Sequence, residues 1–365
     1  MAGIYVHIPF CKSKCVYCDF YSVPSREHLD EVACGLIAEF AARRGDIDEP
    51  FETLYIGGGT PSVLDDNVLA RITGPMLERG IAEFTIEVNP DDVTLSRARR
   101  WAAMGVNRVS MGVQTFDDDL LRTIRRRHSA DQAVDAVDML HSAGITNISC
   151  DLIYGLPGQT ADGWESDLRR LVSLPVTHLS AYCLTYYEGT PLWRMMQAGQ
   201  VIPAGDDEIA SRFDVLRRIT AESGFEHYEI SNFARPGFRS RHNSTYWRAD
   251  GRWLGLGPSA YSFDGLYRRY NPGDIGRWLD RLPYPCEIDD ETDLDRINDN
   301  IVTALRTSDG LDLDSMPADM ADGLIADARR YLDSGDMMLS GRRLCINPDR
   351  WLTADAYIRD MIRDI

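Results

Sequence analysis

With 365 residues, 44% of them hydrophobic and 26% charged, the chain has an ordinary globular make-up and room for one large domain plus a smaller one. Its net charge of −18 argues against nucleic acid as a partner, because that affinity comes from basic side chains neutralising phosphates. No apolar run approaches the ~20 residues that span a bilayer, and Ile4 to Phe10 is too short for a signal peptide, so the expected location is cytoplasmic.

The first predicted strand, Ile4–Ile8, runs into Cys11-Lys-Ser-Lys-Cys15-Val-Tyr-Cys18. Thiolates at this CxxxCxxC spacing hold three irons of a 4Fe–4S cluster and leave the fourth open to a small molecule. S-adenosylmethionine is the molecule associated with that spacing, and its radical chemistry belongs to the cofactor rather than to the protein. The competing reading is a zinc knuckle on Cys11, Cys15, Cys18 and His7. Zinc sites usually pair two CxxC-like units, however, and Cys34, Cys150, Cys183, Cys286 and Cys345 are scattered singly. The chain's only two lysines, Lys12 and Lys14, fall inside the cysteine loop. Codon bias explains their scarcity, but two cations beside a cluster would also steer an acidic electron donor such as flavodoxin or ferredoxin.

Short β-branched runs then alternate with amphipathic stretches, which predicts βα units around a parallel sheet. A helix is expected over Glu27–Arg43 and a strand over Thr53–Ile56. The glycine run Gly57-Gly58-Gly59-Thr60-Pro61 follows, where backbone can approach a ligand without Cβ obstruction. Strands Phe84–Val88, Val109–Val113 and Ile148–Ile153 carry polar tips at Glu87, Gln114 and Asp151. Singly each is as well explained as a satisfied structural residue; together on neighbouring strands they point into one mouth. From Arg125-Arg126-Arg127 one guanidinium is expected to meet a ligand carboxylate. A helix over Ala130–Ala143, ended by Gly144, and a sixth strand over Leu179–Leu184 complete the core. The fold class is thus α/β, a partial six-unit TIM-like barrel.

Beyond Pro191 the alternation fades. Asp206–Ser223 reads as a helix, residues 232–275 as loop-dominated, and Pro283 to Pro285 as a linker. Helices over Leu294–Arg306 and Ala318–Asp333, followed by Met337–Ile346 and Trp351–Ile362, suggest a small α+β, winged-helix-like module. The expected division is 1–190, 191–285 and 286–365. Within 235–252 five arginines surround His242-Asn-Ser-Thr-Tyr246-Trp247. Histidine ligates haem iron, the aromatic pair offers flat apolar surface, and arginine pairs with propionates. The alternative is a core histidine with aromatic neighbours.

Ile4 to Cys11, Gly57–Pro61, Ser110–Phe116, Asp151–Pro157 and the HNxxYW segment together resemble the radical-SAM haem chaperone family, relatives of oxygen-independent coproporphyrinogen III oxidase. The resemblance implies cluster ligation by Cys11, Cys15 and Cys18. It implies an S-adenosylmethionine site lined by Tyr5, Gly58, Gly59, Thr60, Glu87, Gln114, Arg126 and Asp151, and haem contacts at His242, Tyr246 and Trp247. It further implies delivery of haem to an apoprotein, with a peripheral membrane contact during delivery. The oxidase is the alternative, but its pattern has a fourth cysteine where this chain has Phe20, and a longer segment before the cluster. Oxidase activity is therefore expected to be absent. A purely structural cluster protein is the third reading, and it would leave the whole ligand-site pattern to coincidence.

Overall fold

The computed structural model describes residues 1–77, 80–289 and 291–363. Six strands form the parallel core: β1 (Ala2–Ile8), β2 (Phe51–Gly58), β3 (Glu83–Val88), β4 (Arg108–Gln114), β5 (Asn147–Tyr154) and β6 (His178–Cys183). Each overlaps the strand expected from its apolar run. Helices α1 (Leu29–Arg43), α2 (Asp66–Thr73), α3 (Leu95–Ala103), α4 (Asp118–Thr123), α5 (Ala130–Ser142) and α6 (Ala161–Ser173) lie between them. Local capping sets several of their starts: Thr94, Asp117 and Thr160 accept backbone N–H groups, and Ser129 forms a capping box with Gln132.

One face of each core strand packs outward on these helices and is apolar; in β1 these are Ala2, Ile4, Val6 and Ile8, all buried. The other face lines the barrel lumen and is unusually polar. Thr53, Glu83, Thr85, Arg108, Ser149 and His178 are all buried there at the N-terminal half of their strands. This lumen was not foreseen, although alternation such as Tyr5 and His7 between Ile4, Val6 and Ile8 carries its signal.

After α7 (Pro191–Gln197) and α8 (Asp206–Glu222), the expected loop region proves to be structured. β7 (Glu226–Glu229) precedes it, and it supplies β8 (Asn232–Ala234), α9 (Arg241–Tyr246), β9 (Arg252–Leu256), β10 (Tyr261–Phe263) and β11 (Arg268–Tyr270). β9 pairs parallel with β1, while β8 pairs antiparallel with β6, so both edges of the sheet are extended. After α10 (Ile275–Asp280), β12 (Glu287–Asp289) completes a sheet of order β12-β11-β10-β9-β1-β2-β3-β4-β5-β6-β8-β7. These added strands are short and rich in Gly, Arg and aromatics, which masks the period-2 pattern that betrays longer strands.

The last segment holds α11 (Asp293–Ala304), β13 (Leu311–Asp312), α12 (Ala318–Ser334), β14 (Met337–Ser340), β15 (Arg343–Ile346) and α13 (Ala354–Met361). Two helices followed by a hairpin, with β15 between β13 and β14, give the winged-helix-like order. No helix among the described residues is long and apolar enough to cross a membrane.

Candidate functional site

The C-terminal ends of the core strands open on one cavity of about 920 Å³. Cys11, Cys15 and Cys18 line it together with Gly58, Gly59, Thr60, Glu87, Gln114, Arg126 and Asp151. Tyr5 sits in the layer beneath, its hydroxyl 3.1 Å from His7 Nδ1.

The cysteine loop is fixed at both ends and in the middle. Cys11 N–H donates to Val23 O (3.1 Å) and Val23 N–H to Pro9 O (2.8 Å). Val16 donates to Ile124 O at 3.4 Å and accepts from Leu192 N–H at 2.9 Å. Lys12 reaches across to the buried Asp92, which also accepts from Ser62 Oγ at 2.9 Å. One lysine of the pair is thus a clamp on its own loop.

Each thiol has a polar neighbour suited to a thiolate. Cys11 Sγ lies 3.3 Å from Thr60 Oγ1, and Arg126 Nη1 donates to Cys15 Sγ at 3.4 Å. A backbone N–H at Phe20 serves Cys18, although burial is the larger influence and raises that thiol to about 11. Among the described residues no three His, Cys, Asp or Glu side chains converge as they would on a single metal ion. Cys11, Cys15 and Cys18 line one roomy cavity, and three thiols with that space before them fit a cluster that keeps one iron open. His7 is no fourth ligand for such an ion, since Nδ1 meets Tyr5 and Nε2 meets the Tyr21 carbonyl at 2.9 Å.

Gly58 has φ +105°, and a Cβ there would lie 2.8 Å from the His7 ring, so both conformation and space demand glycine. Its N–H donates to Glu87 Oε2 at 3.2 Å, and Tyr55 O–H donates to Glu87 Oε1 at 2.8 Å. Burial nevertheless dominates and pushes Glu87 up to about 7, with nearby Asp151 adding to the rise. Burial also raises Asp151 to about 6, against the hydroxyls of Ser180 and Ser110, the latter at 3.3 Å. Two carboxyls titrating near neutrality therefore face the cavity.

Among the described residues, the non-glycine positions with left-handed backbone are Gln114 (φ 70°), Arg125 (φ 58°) and Ser259 (φ 66°). All three line this cavity. Such conformations cost of order 1–3 kcal/mol each and concentrate where a ligand must be met. Ser259, Tyr17, Asn89, Tyr182 and Tyr187, with Trp351, Leu352 and Asp355 from the last segment, also line the cavity and were not foreseen. For Ser259 a signal existed, in Gly255-Leu-Gly-Pro-Ser259 at the end of an apolar run.

His242, Tyr246 and Trp247 are not among the residues that line the mouth. α9 closes the opposite end of the barrel, its first amides donating to the Glu83 carboxylate at 3.0 and 2.9 Å. The His242 ring is 1% exposed and stacks on Tyr55 with centroids 5.1 Å apart. Nδ1 lies 2.7 Å from Thr53 Oγ1 and Nε2 lies 2.8 Å from Tyr246 O–H, so both ring nitrogens are engaged. Burial depresses its pKa to about 3 and keeps it neutral. In this conformation the geometry is that of a core histidine, because capping at Ser240 and the Glu83 contact tuck α9 into the lumen.

Known proteins match this arrangement. A model of the radical SAM superfamily matches residues 5–171. A Lactococcus lactis protein named heme chaperone HemW is 36% identical over 314 residues, covering 84% of this chain and 82% of that one. A Mycobacterium tuberculosis protein of the same name is 31% identical over 376 residues, 99% of this chain and 94% of that one. Coproporphyrinogen III oxidase (HemN) of Escherichia coli has a similar fold, with a TM-score of 0.85 over 99% of this chain and 90% of that one, at 22% identity. The superfamily match brings a 4Fe–4S cluster and S-adenosylmethionine as cofactors. The chain belongs to the HemW family within the radical SAM superfamily.

Proposed function

We propose that this protein binds haem and delivers it to an apoprotein, carrying a 4Fe–4S cluster on Cys11, Cys15 and Cys18 and S-adenosylmethionine beside it. The observation that carries the reading is the 36% identity, over most of both chains, to a protein named as a haem chaperone. When bound, the cluster supplies one-electron reduction at its open iron. The chain's own residues bind and orient. Gly58 and Gly59 admit the methionine end of S-adenosylmethionine, Glu87 and Asp151 present carboxylates to its cationic and hydroxyl groups, and Gln114 is held toward it by its left-handed backbone.

For haem, the exposed aromatic surface of Phe20, Tyr182 and Tyr187 at the cavity rim is the accessible apolar contact. His242 acts in this reading as the floor of the barrel. The test is anaerobic reconstitution followed by parallel haem titration and coproporphyrinogen turnover with S-adenosylmethionine and a reductant. Haem binding without turnover is expected, and haem stoichiometry should survive His242→Ala. Turnover without haem binding would overturn the reading in favour of the oxidase.

A further inference from the structure

Among the basic side chains around the cysteine loop, Lys12 is neutralised by Asp92, and Arg127 by Asp91 and Asp92. Arg126 is used differently. Its Nη1 donates to Cys15 Sγ at 3.4 Å, while Nη2 donates to Asn89 Oδ1 at 2.6 Å and to the Gly112 carbonyl. These partners are a thiol, an amide and a carbonyl, so its charge is matched by no hydrogen-bonded carboxylate among the described residues. The backbone prepares this pose. Arg125 takes φ 58° after α4, and Arg126 N–H donates to Leu121 O at 2.8 Å. A Cβ on residue 112 would stand 3.0 Å from Nη2, so Gly112 leaves the space the guanidinium fills.

A cation donating a hydrogen bond to a cluster thiolate draws electron density from the sulfur and favours the reduced, more negative cluster. Because Asn89 and Gly112 hold the guanidinium without any ligand, that influence exists before S-adenosylmethionine arrives. We propose that Arg126 is a positioning residue that acts on the cluster through Cys15, raising its reduction potential, in addition to any role as a carboxylate anchor. One electron enters the cluster from an external donor, and no bond forms or breaks. The inference rests on the proposed ligation by Cys15.

The test is an anaerobic redox titration of reconstituted protein without S-adenosylmethionine, for wild type, Arg126→Gln and Arg126→Lys, with iron measured on each. Arg126→Gln is expected to shift the reduction equilibrium about tenfold toward the oxidised state, about 59 mV for one electron. Arg126→Lys should restore part of that shift, with iron content unchanged in both. An unchanged midpoint in Arg126→Gln at full iron content overturns the proposal. Should Arg126→Gln fail to hold iron, Asn89→Ser decides, because it removes the strut and leaves the charge: a lowered midpoint supports the proposal and an unchanged one overturns it. Wild type without a cluster would overturn the ligation itself, a separate outcome.

Discussion

Glu87 and Asp151 make the site's chemistry depend on pH. Burial raises both, to about 7 and about 6, above their ordinary values, so each takes up a proton on folding across the interval between the two. In ligand-free protein the unfolded chain loses these protons first, and the two groups make stability fall as pH rises from about 4 to 7. A bound sulfonium cation reverses the preference by favouring the ionised carboxylates. Affinity for S-adenosylmethionine should therefore increase as pH rises from 6 to 8, with proton release on binding. Calorimetry in buffers of different ionisation enthalpy measures it. Glu87→Gln should flatten the upper part of that profile, and an identical profile in the variant would remove Glu87 from the site.

At the scale of elements, one carboxylate joins the barrel to its added strands. Glu39 on α1 is fully buried and accepts from Arg43 Nη1 (2.7 Å), Gly257 N–H (2.9 Å), Asn271 Nδ2 (2.8 Å) and Trp278 Nε1 (3.0 Å). It thereby fixes the loop after β9, the strand run that follows and α10 against α1. Removing one partner of a buried pair leaves the other charge stranded and costs about 3–5 kcal/mol. Asp46 still faces Arg43 at 3.1 Å, so Glu39→Ala should fall near the lower end of that range in urea unfolding. A loss under about 1 kcal/mol would show that solvent reaches the guanidinium once the carboxylate is gone.

For the whole molecule, the last segment is bonded to the sheet edge rather than tethered beside it. Ile230 N–H donates to Arg306 O (3.0 Å) and Ser308 N–H to Tyr228 O (2.9 Å). Trp351 is completely buried, its ring 4.4 Å from His227 on β7, and Arg217 pairs with Asp349 above it. Truncating so large a buried side chain typically costs about 3–5 kcal/mol. Trp351→Ala is expected to lose that much. Because Trp351 and Leu352 form part of the cavity wall, it should also weaken haem binding severalfold in titration. Destabilisation with unchanged haem affinity would confine this segment to a structural role.

The amino-acid sequence by itself determined the six core strands and the cysteine loop. Each core strand keeps an apolar outward face at period two, as Leu179 and Ala181 do in β6, and ligand spacing within eight residues is a local property that no distant contact can alter. Gly58, Glu87 and Gln114 were readable for the same reason, since each lies at or next to the end of a recognisable run, whereas Asp151 stands inside its strand with Leu152 to Tyr154 after it. Tertiary structure alone decided the rest. β9 to β12 are three to five residues long, and β9, which joins them to the sheet, finds its partner β1 far away along the chain, with Arg252 opposite Ala2. The same is true of the cavity wall at Ser259 and Trp351, and of Arg126, whose contact with Cys15 spans 111 positions. His242 shows the difference most directly: its neighbours in sequence suit a core residue somewhat better than a haem ligand and exclude neither. Only the closure of the barrel by α9, with Thr53 and Tyr246 on the two ring nitrogens, gives it the surroundings of a core residue.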